Sequence, residues 1–137
     1  MARNASIGSV TSSADKVKVD AAGSLSITTA KAYAEVDLSG AGITATTLTS
    51  TNAFVDLDSS AAGSVNVKTA TAKTYFSAQS YGNMTIGTFG VTAGYASLVS
   101  GGSMAVTTGT STGNMTIDGV SNVALGNLTT STGFIDA

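Results

Sequence analysis

An all-β solenoid of about 20-residue coils, with two strands in each coil, is the fold this sequence predicts. Three observations predict it. A glycine-anchored phrase recurs as Gly23-Ser-Leu-Ser-Ile, Gly63-Ser-Val-Asn-Val, Gly82-Asn-Met-Thr-Ile, Gly102-Ser-Met-Ala-Val and Gly113-Asn-Met-Thr-Ile, with a degenerate copy at Gly42-Ile-Thr-Ala45. Apolar and polar residues alternate with period two, and helical periodicity is absent. Thr, Ser, Ala and Gly supply more than half of the chain, and Val, Ile and Thr suit strands. The successive anchors Gly23, Gly42, Gly63, Gly82 and Gly102 lie 19, 21, 19 and 20 positions apart. A period of that size marks stacked units that bury their apolar faces against one another.

The strands follow in order. Val17-Lys-Val19, Leu25-Ser-Ile27, Val36-Asp-Leu38, Val65-Asn-Val67, Met84-Thr-Ile86, Met104-Ala-Val106 and Met115-Thr-Ile117 each alternate, and short Gly, Ser, Ala and Asn clusters between them read as turns. With the anchor glycine as zero, positions −6 and −4 are mostly apolar: Val17 and Val19, Val36 and Leu38, Phe76 and Ala78, Ala96 and Leu98. The third copy departs, with Leu57 at −6 and Ser59 at −4. Positions −7 and −5 are mostly polar: Lys16 and Lys18, Glu35 and Asp37, Asp56 and Asp58, Tyr75 and Ser77, Tyr95 and Ser97. Alternate residues of a strand face opposite sides, so the first set is expected in a core and the second outside it. The alternative architecture is an antiparallel β-sandwich or meander, in which consecutive strands pair as hairpins. The regular repeat and the short corners favour the solenoid. One domain is expected over 1–137, with repeats from about residue 8 to 120 and an irregular C-terminal segment at 121–137.

Composition excludes several functions. The net charge is −2 and Arg3 is the only arginine, so no basic patch is available for a nucleic-acid backbone. Cysteine and histidine are absent, which removes disulfides, thiolate metal sites and Ser–His or Cys–His nucleophile pairs. Past Lys73 the only charges are Asp118 and Asp136, too few for a glycosidase-type cleft. The chain is expected to be no enzyme. No apolar run is long enough for a membrane helix, and Met1-Ala-Arg-Asn-Ala-Ser lacks an apolar signal-peptide core, so export without a cleaved N-terminal signal is expected.

Candidate sites come from the outward set. Aligned on the glycines, Glu35 stacks over Asp56 and Asp37 over Asp58, with Lys16 and Lys18 one coil earlier. Opposed carboxylates on adjacent strands repel unless a cation lies between them. Glu35, Asp37, Asp56 and Asp58 are therefore the candidate Ca²⁺ ligands, and Ca²⁺ is the one cofactor the residues admit. The plain alternative is a solvated polar face. Tyr75, Tyr81, Tyr95, Phe76 and Phe89 cluster in mid-chain, either as an outer patch for a neighbouring subunit or as core filler. Tyr75 and Tyr95 share the outward register and, with Phe134 and Ile135 at the C-terminal end, are the candidate interface residues. Thr44-Ala-Thr46, Thr69-Ala-Thr71 and Thr107-Thr-Gly-Thr110 raise ice binding by flat threonine ranks, but they occupy no fixed position in the unit. Asn4, Asn83, Asn114 and Asn127 open Asn-x-Ser/Thr sequons, and the Gly-Asn-Met-Thr copies suggest that asparagine serves the turn instead.

The phrases Gly23-Ser-Leu-Ser-Ile, Gly63-Ser-Val-Asn-Val and Gly82-Asn-Met-Thr-Ile resemble the repeats of filamentous-haemagglutinin-type adhesins and other bacterial surface β-solenoids. The composition is similar to that of surface-layer and biofilm-matrix proteins secreted without an N-terminal signal. The resemblance implies an extracellular or cell-surface location, with cell-surface or glycan contacts. It transfers no functional residues. The expected function is a structural protein that self-assembles head-to-tail into an extracellular filament, surface layer or matrix through β-edge pairing. The alternatives are an adhesin or phage-fibre-type binding module and an ice-binding protein.

Overall fold

The chain winds as a parallel β-solenoid of about seven turns. In the computed structural model residues 3–60 and 63–137 are described; Met1 and Ala2 of the N-terminal reading lie outside them. Each turn supplies one long and one short strand. The long strands are β1 (Ala5–Ser12), β3 (Ser24–Ala32), β5 (Gly42–Ser50), β7 (Val65–Ala72), β9 (Met84–Val91), β11 (Met104–Ser111) and β13 (Val123–Thr130). They form one seven-stranded sheet in that order. The short strands are β2 (Val17–Asp20), β4 (Val36–Gly40), β6 (Val55–Ser59), β8 (Tyr75–Ser80), β10 (Tyr95–Ser100), β12 (Met115–Gly119) and β14 (Ile135–Asp136), stacked as the second sheet. Every pairing is parallel. Hairpins pair strands antiparallel, so the meander alternative is excluded.

Because each strand pairs with its counterpart one coil on, equivalent residues stack in columns about 4.8 Å apart along the axis. The inward columns are apolar. In the short-strand sheet one runs Val17, Val36, Val55, Phe76, Ala96, Met115 and Ile135. Its neighbour runs Val19, Leu38, Leu57, Ala78, Leu98 and Ile117. The long strands carry inward residues in two pairs: β3 buries Leu25 and Ile27, then Ala30 and Ala32, with Thr28 and Thr29 both off the core. That change of phase places a bend in mid-strand, and β5, β7 and β11 repeat it.

Large and small residues alternate down the columns. Phe89 stands between Ala70 and Gly109 in one column and meets Phe76 of the opposite wall at a ring-centroid distance of 5.4 Å. A Cβ on Gly109 would lie 2.4 Å from the Phe89 ring, so the glycine is the space the phenylalanine needs. The anchor glycines have a related cause. A Cβ on Gly63 would fall 1.1 Å from Ala41 O, where neighbouring coils meet backbone to backbone. At the corners, buried serines donate to backbone carbonyls: Ser59 Oγ to Ala41 O (3.2 Å), Ser100 Oγ to Gly82 O (2.9 Å) and Ser111 Oγ to Gly113 O (2.7 Å). Among the described residues no buried side-chain nitrogen or oxygen lacks a hydrogen bond.

The structure corrects the register in three places. Ala41, not Gly42, continues the Gly23 column, since Gly42 pairs with Ser24. Leu57 pairs with Leu38 and Val55 with Val36, so the inward pair of β6 is Val55 and Leu57 rather than Leu57 and Ser59. The extra residues lie in the corner beyond: eight positions separate Leu57 from Val65, against six from Ala78 to Met84. The segment 121–137, expected to be irregular, makes the seventh turn, with β13 pairing β11 and β14 pairing β12. The glycine period does not extend there because Ser121 continues the Gly102 column, and the fifth phrase, Gly113-Asn-Met-Thr-Ile, opens β12 in the short-strand sheet, whereas the identical phrase at Gly82 opens β9 in the long-strand sheet.

Candidate functional site

Side chains that leave the core gather in three places: the outer face of the short-strand sheet, the outer face of the long-strand sheet, and the end formed by the last turn. On the short-strand sheet one outward column runs Lys18, Asp37, Asp56, Ser77, Ser97, Thr116 and Asp136. Lys18 Nζ donates to Asp37 Oδ2 at 3.1 Å, an exposed ion pair. This hydrogen bond, with the adjoining Asp37 charge, raises the Lys18 pKa above 10.5. Asp56 follows Asp37 directly. Burial, then repulsion from Asp37, raises its pKa above the usual 3.8, and a hydrogen bond from Ser77 opposes the shift.

The four candidate Ca²⁺ ligands are not drawn into one cluster. Asp37 opposes Asp56, Asp58 opposes Ser39, and Glu35 lies in the adjacent column with Phe54. The expected alignment of Glu35 over Asp56 and Asp37 over Asp58 came from the two-residue slip at β6. Among the described residues no group of three or more acidic, histidine or cysteine side chains is set to hold a metal ion.

The column containing Glu35 is the aromatic one. Phe54 and Tyr75 stack at 4.5 Å and Tyr75 and Tyr95 at 5.2 Å, each pair with planes 9° apart. Tyr75 and Tyr95 thus face outward in one register, as expected. Phe54 was missed; alignment on Val55 and Leu57 instead of on Gly63 would have placed it there. Burial, then the charge of Asp56, raises the Tyr75 pKa above 10.0. Phe76 and Phe89 fill the core, whereas Tyr81 is exposed. Phe134 precedes β14 in the same column, beyond Asn114, whose neighbour Met115 donates its N–H to Phe134 O at 2.9 Å.

On the long-strand sheet, Thr29, Thr47, Thr69, Thr88 and Thr108 form one unbroken column. Two residues further on lie Lys31, Thr49, Thr71, Gly90 and Thr110. Threonine ranks therefore do occupy a fixed position: Thr29, Thr69, Thr88 and Thr108 each lie six residues past an anchor glycine, and Thr47, five past Gly42, departs only because Ala41 holds the anchor place in that coil; Thr44 and Thr46 belong to other columns. Three of the four sequon asparagines serve the corners. Asn4 Oδ1 accepts from Ser24 N at 2.9 Å, Asn83 Oδ1 from Ser103 N at 2.9 Å, and Asn114 Oδ1 from Phe134 N at 3.3 Å.

The last turn differs from all the others. Val123, Leu125 and Ile135 occupy inward columns, yet they are 39%, 37% and 41% exposed, where their counterparts Met104, Val106 and Met115 are buried. Phe134 and Val120 are exposed beside them. At the opposite end Ala5, Ile7 and Val10 of β1 are partly buried against the core. β1 and β13 each pair on one side only, as do β2 and β14.

Among the described residues no helix is long and apolar enough to cross a membrane. Comparison with protein-family models, with curated proteins and with solved structures found no match.

Proposed function

We propose that the chain is a structural subunit that self-assembles head-to-tail, through pairing of its terminal β-strands, into an extracellular filament, surface layer or matrix. The observation that carries this is the open last turn, where core-column side chains Val123, Leu125 and Ile135 lie exposed beside one-sided strands. Exposed edges are normally blunted by charge, proline or a covering segment. β13 carries neither charge nor proline. Adding a further coil would bury the apolar side chains and pair the edge at once. The extracellular setting rests on the resemblance of the repeats and of the composition to bacterial surface proteins. Negative-stain electron microscopy of the purified protein tests the reading: filaments or sheets that lengthen with concentration support it, and discrete particles at every concentration reject it.

A second reading, ice binding, is favoured by the threonine columns. Thr47 with Thr49, Thr69 with Thr71 and Thr108 with Thr110 form parallel ranks on one sheet face. Lys31 and Gly90 interrupt the outer column of those ranks. Thermal hysteresis is the direct measurement, and its absence removes this reading.

A further inference from the structure

We infer that two copies join in one defined register, with β13 of one copy pairing parallel to β1 of the next and β14 continuing onto β2. This rests on the self-assembly reading and specifies its partner: the first turn of a second copy of this chain.

The spacing of the two end turns is the first ground. In the first turn the inward positions are Ala5, Ile7, Val10, Ser12 and Val17, separated by two, three, two and five residues. In the last turn the same columns end at Val123, Leu125, Leu128, Thr130 and Ile135, with identical separations. Both β1 and β13 have eight residues. Gly8 and Gly126 occupy the same place at the mid-strand bend, where the ladder skips a position. The turns that begin at Ile43 and Met84 share these separations, whereas those that begin at Leu25, Val65 and Met104 end on a separation of four, so the first turn matches the last more closely than the last turn's own neighbour does. The first turn therefore continues every column of the last turn without adjustment, and both sheets run on in phase.

Charge is the second ground. Asp136 ends the column that Lys18 begins. In the proposed junction Asp136 lies next to Lys18 of the neighbouring copy, and that lysine is then flanked by Asp136 on one side and Asp37 on the other. Opposite charges directly across adjacent strands stabilise a pair, and like charges would oppose it. Lys16 falls in the column of Phe134, placing a cation beside an exposed ring. A junction of two like ends has none of this complementarity, and its strands would run antiparallel rather than parallel. Head-to-tail stacking also repeats without closure, because each added copy presents a fresh last turn.

Cross-linking reads the register directly, since the chain contains no cysteine. Ser9 and Asn127 end one outward column at opposite ends of the molecule, so a Ser9→Cys/Asn127→Cys variant has no intramolecular partner within reach. In the proposed junction these two positions oppose each other at the Cα separation of adjacent strands, about 5 Å, which a disulfide spans. A Thr11→Cys/Asn127→Cys variant is displaced by two residues and lies beyond that reach. Both variants are oxidised at assembling concentration, run on denaturing gels without reductant, and sedimented in parallel. The expected result is a ladder of covalent multimers from the first variant, at least about ten-fold stronger than from the second. Polymer that sediments while the first variant gives no ladder, or while both give equal ladders, overturns the register and leaves self-assembly standing. Absence of both ladder and polymer overturns the self-assembly reading itself.

Discussion

At the scale of single residues, Asp56 and Gly109 show two different kinds of constraint. Asp56 is a charge the fold holds at a cost, because it is half-buried beside Asp37. A carboxyl whose folded pKa is raised above its unfolded value of 3.8 weakens the fold when it ionises. Its cost is therefore present at neutral pH and vanishes as pH falls below 3.8, where both states are protonated. Asp56→Asn is expected to stabilise the protein by about 0.2–1 kcal/mol at pH 7, with the gain lost at pH 3. Urea unfolding of both proteins, at concentrations below assembly, checks this; a gain that persists at pH 3 would contradict the electrostatic cause. Gly109 is constrained by volume instead. Gly109→Ala drives a methyl into the Phe89 ring, which is held between Ala70 and Phe76, and is expected to cost about 1–3 kcal/mol. A neutral result in the same unfolding assay would mean that the ring moves freely.

At the scale of strands, the proposed assembly turns on β13. Leu125 points down an inward column but has no coil beyond it. In Leu125→Lys the ammonium reaches solvent through the open end, so the monomer keeps its strand content by circular dichroism. In a stacked junction the same ammonium would be desolvated without a partner. Assembly is expected to require at least about 100-fold more protein, a cost of several kcal/mol. Unchanged sedimentation of this variant would show that the last turn is not the joining surface. The strands themselves were legible from the sequence because each inward pair, such as Val36 and Leu38 or Ala96 and Leu98, obeys period two. Their register was less legible. Glycine marks the corner where backbones touch, but Ala41 and Ser121 take its place in two coils, and two further residues lengthen the corner after β6. That slip displaced Asp56 and Asp58 and left Phe54 out of the aromatic column. Buried pairs align such repeats better than corner residues do, because a one-residue slip would expose a whole face whereas a corner tolerates insertions.

At the scale of the whole molecule, the solenoid is a one-dimensional stack in which each coil is stabilised by its two neighbours. The end coils have one neighbour each, and the two ends are chemically distinct. The first turn carries Lys16 and Lys18, and the last carries Asp136 with exposed Phe134 and Ile135. This polarity was visible in the sequence as lysines first and a nearly uncharged end. The exposure of Val123 and Leu125 was not, because residues 121–137 did not look like a coil. In the proposed assembly these distinct ends give the stack a direction, with copies repeating about every 34 Å, seven coils at 4.8 Å. Sedimentation velocity across a wide concentration range, with and without Ca²⁺, tests self-assembly most directly. The structure leads us to expect a distribution that shifts to larger species as concentration rises. A single monomer peak at the highest concentration, in both conditions, would contradict it.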